Sequence, residues 1–206
     1  MHPNPTFGKE TRDRNIAFAR DRAFGTLAIN GDDGPLTAHI PFVLNEDGSQ
    51  LELHLMKSNP IARADLPAKA TLTLLGPDSY ISPDWYGAED QVPTWNYVAV
   101  RIKGILQLEA HGDLHDVLDR LSAHMETALL PKKPWTTDKM SDGVMERMMR
   151  ALIPLSMKVD SIEGTWKLGQ NKPDDVRLRA ANKVGTDGIG QEIEAMSTLM
   201  RAAKKD

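Results

Sequence analysis

An α+β fold built on an antiparallel β-barrel, closed or half-closed, with helices outside the sheet, is what the 206-residue sequence predicts. Three observations lead there. Short apolar runs alternating with period two, about six or seven of them, recur between Asp, Asn and Gly clusters suited to hairpin turns. Helical periodicity is confined to segments flanking these runs, so the strands do not alternate with helices as a parallel sheet requires. Many short strands also leave edges, which closure removes. Residues 1–172 are expected to form the barrel domain with inserted helices, and 173–206 a C-terminal helical segment packed on the same domain.

The elements follow in order. "ETRDRNIAFARDR", Glu10 to Arg22, lacks Pro and Gly and spaces Ile16 and Ala19 for a buried stripe, so it predicts a helix. "GTLAIN", "LTAHIPFV" and "QLELHLM", separated by "GDDGP" and "NEDGS", predict a meander. Pro41 cannot donate to a ladder, so the second strand is expected at an edge or interrupted there. "SNPIARADL" suits one or two helical turns, and "KATLTLL" alternates as a fourth strand. In "VAVRIKGILQLE" Val98, Val100, Ile102, Leu106 and Leu108 share one face, and Arg101, Lys103, Gln107 and Glu109 the other. "DLHDVLDRLSAHMETAL" reads as a helix with Asp113 at the N-cap. A later helix carries a stripe of Met145, Met148, Met149 and Leu152, read as core filler. "IPLSMKVDSIEGTWKLGQNKP" is expected as two strands about a turn at Glu163 and Gly164. A helix opened by Pro173 should stop at Gly185, and a final one should span Ile189 to Lys204.

Composition narrows the chemistry. Zero cysteines exclude disulfides, Cys-ligated metal and a thiol nucleophile. A net charge of −4 argues against a broadly basic nucleic-acid surface. No apolar run is long enough to cross a bilayer, and the start "MHPNPTFGKE" lacks a secretory pattern, which predicts a cytoplasmic location and no membrane partner. Neither a G-x-G-x-x-G turn after a strand nor a P-loop is present. No metal site is expected: His111 and His115 lie across a helix start, off a common helical face. His39 and His54 sit in predicted strands and, taken alone, read as half-buried core histidines. Lys57 and Ser58 stand where a strand meets a helical turn, a plausible anion seat or a plain surface lysine. "YISPDWYGAEDQVPTWNY" concentrates all three tyrosines and two of the four tryptophans in one loop. It reads as a lid, a subunit contact or a stacking platform for a planar ligand.

Together, "FGTLAIN", "PLTAHIPFVL", "HLMKSNP", "GPDSYISPDWY", "VPTWNYVAVRIKG" and "WKLGQNK" resemble the PaiB-like family of FMN-binding proteins, often labelled negative transcriptional regulators. The resemblance runs in order from Phe24 to about Lys172. It implies an antiparallel split β-barrel with flanking helices, related to the pyridoxamine phosphate oxidases, working as a homodimer with FMN at the subunit interface. It further implies that His39, Ile40 and Pro41 lie along the isoalloxazine. His54 and Met56 would approach the ring or ribityl chain, and Lys57 with Ser58 would meet the phosphate. Trp95, Asn96 and Tyr97 would come from "TWNY", with Gln170, Asn171 and Lys172 closing the site. The family pattern carries Ser where this chain has Gly169.

The expected function is therefore FMN binding, extending to a flavin-dependent oxidoreductase or flavin reductase of unspecified small-molecule substrate, with no catalytic residue assigned. A negative transcriptional regulator that binds DNA or senses flavin is the second reading, with "VRLRAANK", Val176 to Lys183, as its one basic helical run. Haem binding or breakdown is a third, implied by other proteins on this barrel.

Overall fold

The computed structural model describes residues 1–109 and 114–204. The elements run α1 (Arg12–Arg22), β1 (Phe24–Gly31), β2 (Gly34–Leu44), β3 (Gln50–Met56), β4 (Ala68–Ile81), β5 (Thr94–Leu108), α2 (Leu114–Thr127), α3 (Val144–Met149), β6 (Leu152–Lys167), α4 (Asp174–Asp187) and α5 (Ile193–Ala202). The six strands close into a barrel in the order β1-β2-β3-β6-β5-β4. Among the described residues no helix is long and apolar enough to cross a membrane.

The chain divides into two compact units: Ile16–Thr73 with Ile102–Ile162, and Met1–Asn15 with Leu74–Arg101 and the described residues from Glu163 onward. Strands β4, β5 and β6 contribute to both. In the first unit the inward positions of β1, β2 and β3 put Leu27, Ile40, Phe42, Leu51, Leu53 and Leu55 into the core. Strand β2 pairs with β1 from Gly34 to Pro41 but with β3 only from Phe42 to Leu44. Pro41, having no N–H, thus stands where the second ladder ends, and the preceding residues keep an open flank. Helix α1 buries Ile16 and Ala19 as its spacing predicts. In the second unit α4 and α5 pack together, with Ala180, Ala181, Val184, Met196 and Met200 buried.

Several expectations are corrected. Segment 152–167 is one strand, β6, without a turn at Glu163 and Gly164. Gly164 serves a close approach instead: a Cβ there would lie 2.0 Å from Asn15 Oδ1, which accepts a hydrogen bond from Trp166 Nε1 at 2.8 Å. Strand β4 continues through "GPDSYI" into the aromatic segment, and "SNPIARADL" holds only a 3-10 turn, Ile61–Arg63. Helix α4 passes Gly185 and ends at Asp187, because Ser197 Oγ of α5 donates to Ala181 O at 2.6 Å and ties the two helices along this stretch. Helix α5 begins at Ile193, later than expected. The methionine stripe is not core: α3 buries no residue, and Met148 is exposed. Six residues are too short to present a sustained apolar face. His111 and the Asp113 cap lie outside the described residues.

Candidate functional site

Strand alternation sorts the predicted site residues of the first unit. On β2, Ile40 points into the core while His39 and Pro41 face outward; on β3, His54 and Met56 face outward. The register Phe42↔Leu53 brings Pro41 to the level of His54. Both line a cavity of about 290 Å³ whose walls include Leu118, Leu121, Met125 and Trp135. Helix α2 is fixed over these strands by buried Val117 and Leu121, and by Arg120 Nε donating to Glu52 Oε2 at 2.8 Å. His124 Nε2 also donates to Arg20 O at 2.8 Å.

His54 Nδ1 is buried in this cavity without a hydrogen-bond partner among the described residues. Burial holds the imidazole below its ordinary pKa, so the ring is neutral at pH 7. An orphan buried nitrogen carries an unmet desolvation cost, which a polar group brought within reach by a small shift of the ring would relieve. His39 is exposed, its Nδ1 3.0 Å from Thr26 Oγ1. Met56 is half exposed at the strand end. Beyond it the Lys57 backbone is fixed at both ends: its N–H donates to Ala151 O at 2.8 Å, and its carbonyl accepts from Arg63 Nε at 3.2 Å. The Lys57 ammonium is exposed and has no carboxylate partner among the described residues, and Ser58 beside it is exposed too.

In the second unit Trp95 is 42% exposed, its ring 6.2 Å from that of Tyr80. Asn96 is buried, with Nδ2 3.6 Å from Met200 Sδ, and burial pushes the Tyr97 phenol upward. The segment "PDWY" forms a 3-10 turn that buries Tyr86, whose carbonyl accepts from Arg179 Nε at 2.8 Å. "WKLGQNK" turns at Gly169, where φ is +79, a value a serine would adopt only under strain. The Gln170 side chain is turned inward: Oε1 accepts from Leu168 N at 2.8 Å and Nε2 donates to Trp166 O at 2.7 Å. Asn171 is exposed, and Lys172 Nζ donates to Gln91 Oε1 at 2.6 Å.

Seven of the thirteen predicted site residues thus lie in one unit and six in the other. Sequence reasoning missed the cavity walls from α2 and Trp135, and it missed Lys167, which donates to Thr94 Oγ1. A signal for the wall existed in the lone tryptophan of "KKPWTT", an aromatic in a polar loop.

Fold and site define a split-barrel protein of the flavin-binding class. The chain belongs to the family described as "Putative FMN-binding domain", whose model matches residues 1–161, and its cofactor is FMN or a related flavin. A relative from Bacillus subtilis (strain 168), "Protease synthase and sporulation protein PAI 2", is 30% identical over 176 residues, covering 82% of each chain. The PaiB-like resemblance drawn from the motifs is borne out. An uncharacterised Aspergillus fumigatus protein is 26% identical, over 92% of this chain and 93% of its own. Among solved structures, an FAD and heme binding protein from Mycobacterium smegmatis superposes with TM-score 0.58 at 19% identity, over 89% of this chain and 82% of its own. The flavocytochrome Anf3 from Azotobacter vinelandii does so with TM-score 0.55 at 13% identity, over 81% and 72%. At such identities these two establish the fold.

Proposed function

We propose that the protein is a homodimeric FMN-binding protein that uses the flavin for redox chemistry on a small molecule. The observation that carries the reading is the largely apolar Pro41 and His54 cavity, with the buried unsatisfied nitrogen of His54 beside it, next to the strand end that presents the free Lys57 ammonium. The residues fit the group. Largely apolar walls with one neutral imidazole, the Ser122 hydroxyl and the Glu126 carboxylate suit a heteroaromatic ring edge rich in donors, and an unpaired lysine with a neighbouring hydroxyl suits a phosphate.

Bound there, the flavin would supply one- or two-electron transfer. The chain's own residues do the rest. Leu118, Leu121 and Trp135 would give the ring apolar contact, and neutral His54 would offer a hydrogen bond without adding charge. Lys57 and Ser58 would anchor the phosphate, His54 and Met56 would approach the ring or ribityl chain, and His39, Ile40 and Pro41 would lie along the ring. The exposed Trp95 and Val92 would serve as subunit contact. The visible spectrum of the purified protein tests the reading. A flavin spectrum, with FMN released on denaturation, is expected; a colourless protein that takes up neither FMN nor FAD overturns it.

Direct DNA reading finds little support in "VRLRAANK", the basic run singled out for it. Arg177 is buried, donating to Met200 O and Asp174; Arg179 pairs with Asp175, and Lys183 with Asp187.

A further inference from the structure

One wall of the Pro41 and His54 cavity comes from beyond α2 and is held there chiefly by a single carboxylate. Helix α2 ends at Thr127, and the chain turns back so that Trp135 joins Leu118, Leu121 and Met125 in lining the cavity. Glu126, a lining residue too, fixes this return. Its Oε2 accepts from the Trp135 backbone N–H at 2.8 Å and from the Lys132 ammonium. Those two hydrogen bonds, that of Lys132 first, hold the Glu126 carboxyl below the usual carboxylate range, so it is ionised at pH 7. Lys139 Nζ adds one bond to Pro134 O at 3.0 Å. All of these residues belong to one unit.

Little else restrains the segment. Every residue from 128 to 136 is exposed, Leu129 by 53% and Leu130 by 60%, so no apolar burial holds it down. Its backbone bonds are those of local turns, such as Leu129 N to Glu126 O and Lys132 N to Leu129 O. A stretch tied by one charged side chain and by turn bonds opens at small cost. Yet it brings a large flat aromatic to a cavity of about 290 Å³, where Glu126 Oε1 accepts no hydrogen bond among the described residues. An aromatic face beside a carboxylate oxygen suits a planar heterocycle with an N–H at its edge. We propose that Trp135 is the specificity-determining face of this cavity, and that Glu126 is the positioning residue that latches its strap, residues 128–136. This rests on the reading above, which seats the flavin ring in the cavity: Trp135 stacks on the ring, and opening of the strap admits it.

Hydrogen exchange of the full-length protein, read by mass spectrometry on peptides covering 128–136 and strands β1 to β3, tests the latch. Without flavin, Glu126→Ala should speed exchange in 128–136 about tenfold or more, Glu126→Gln should do so by less, and neither should alter the strands. Adding FMN or riboflavin to the parent should slow exchange in 128–136. Flavin titrations test the face. Trp135→Ala should weaken FMN and riboflavin by the same factor, about tenfold, and Trp135→Phe should restore most of the loss. Unaltered exchange in 128–136 of Glu126→Ala, or flavin affinities that Trp135→Ala leaves intact, overturn the proposal. Faster exchange in the strands as well does the same, because Glu126 would then support the fold at large. Should neither FMN nor riboflavin bind the parent, the flavin reading fails and takes the stacking face with it, whereas the flavin-free exchange still decides the latch.

Discussion

His54 lies on β3 and Lys57 just past its end, three residues on, and their surroundings differ in kind. Lys57 is exposed, so its charge costs nothing until a phosphate arrives. Replacing it with Ala should weaken FMN binding by about 1.5–3 kcal/mol, the worth of one charge-assisted hydrogen bond, while leaving riboflavin affinity unchanged. Flavin fluorescence titration reads both, and equal losses for the two ligands would remove Lys57 from the phosphate. His54 is half-buried, and burial lowers its pKa, so the ring is neutral. Because its folded pKa lies below the unfolded value of about 6.5, the unfolded chain binds the proton first. Stability therefore falls as pH drops through 6.5 toward the lowered native value and levels off below it. Urea unfolding at pH 7.5 and 5.5 should show that loss, and His54→Leu should shrink it; a variant with the same pH dependence would place the titrating group elsewhere.

Glycine in a strand is where the element scale is decided. In β6 the sequence "EGTW" looks like a turn, but Gly164 lies under Asn15, and the strand runs straight through. Gly164→Ala should force Asn15 aside, break its bond with Trp166 and destabilise the protein by about 1–3 kcal/mol, as overpacking does. Denaturation followed by Trp166 fluorescence, which should also shift in the folded baseline, checks this. Leu121→Ala is expected to cost about 2–5 kcal/mol and to loosen α2 over the Pro41 and His54 cavity. Period-two patterning made β1, β2 and β3 readable, since each buries alternate side chains, whereas β6, with runs of three buried residues, was read as two strands. Their limits were not readable: a glycine in a turn and a glycine under a neighbouring side chain are the same letter, and only the neighbour distinguishes them. The site divides likewise. Pro41, His54 and Lys57 could be placed on strands from sequence, but Leu118, Leu121 and Trp135 reach the cavity through α2 and the loop after it. Trp135 carried the one local signal, an aromatic in a polar loop, whereas Leu118 and Leu121 look like any helix core positions.

For the whole molecule the question is how flavin and subunit contact depend on each other. The second unit leaves Leu75, Val92 and Trp95 largely exposed, which is unfavourable in water for side chains of this size unless a partner covers them. If the flavin sits where two copies meet, linkage requires that FMN tighten the dimer by the same factor by which dimerisation tightens FMN. Substituting Val92 and Trp95 together with Ser should then do two things at once: shift the sedimentation profile toward monomer, and make the apparent FMN affinity rise with protein concentration. Saturating FMN at about a hundred times its dissociation constant should restore up to roughly 2.7 kcal/mol of folded or assembled stability. A variant that becomes monomeric yet binds FMN as the parent does, at every protein concentration, would place the flavin within one subunit. The exposed tryptophan would then serve the subunit contact alone.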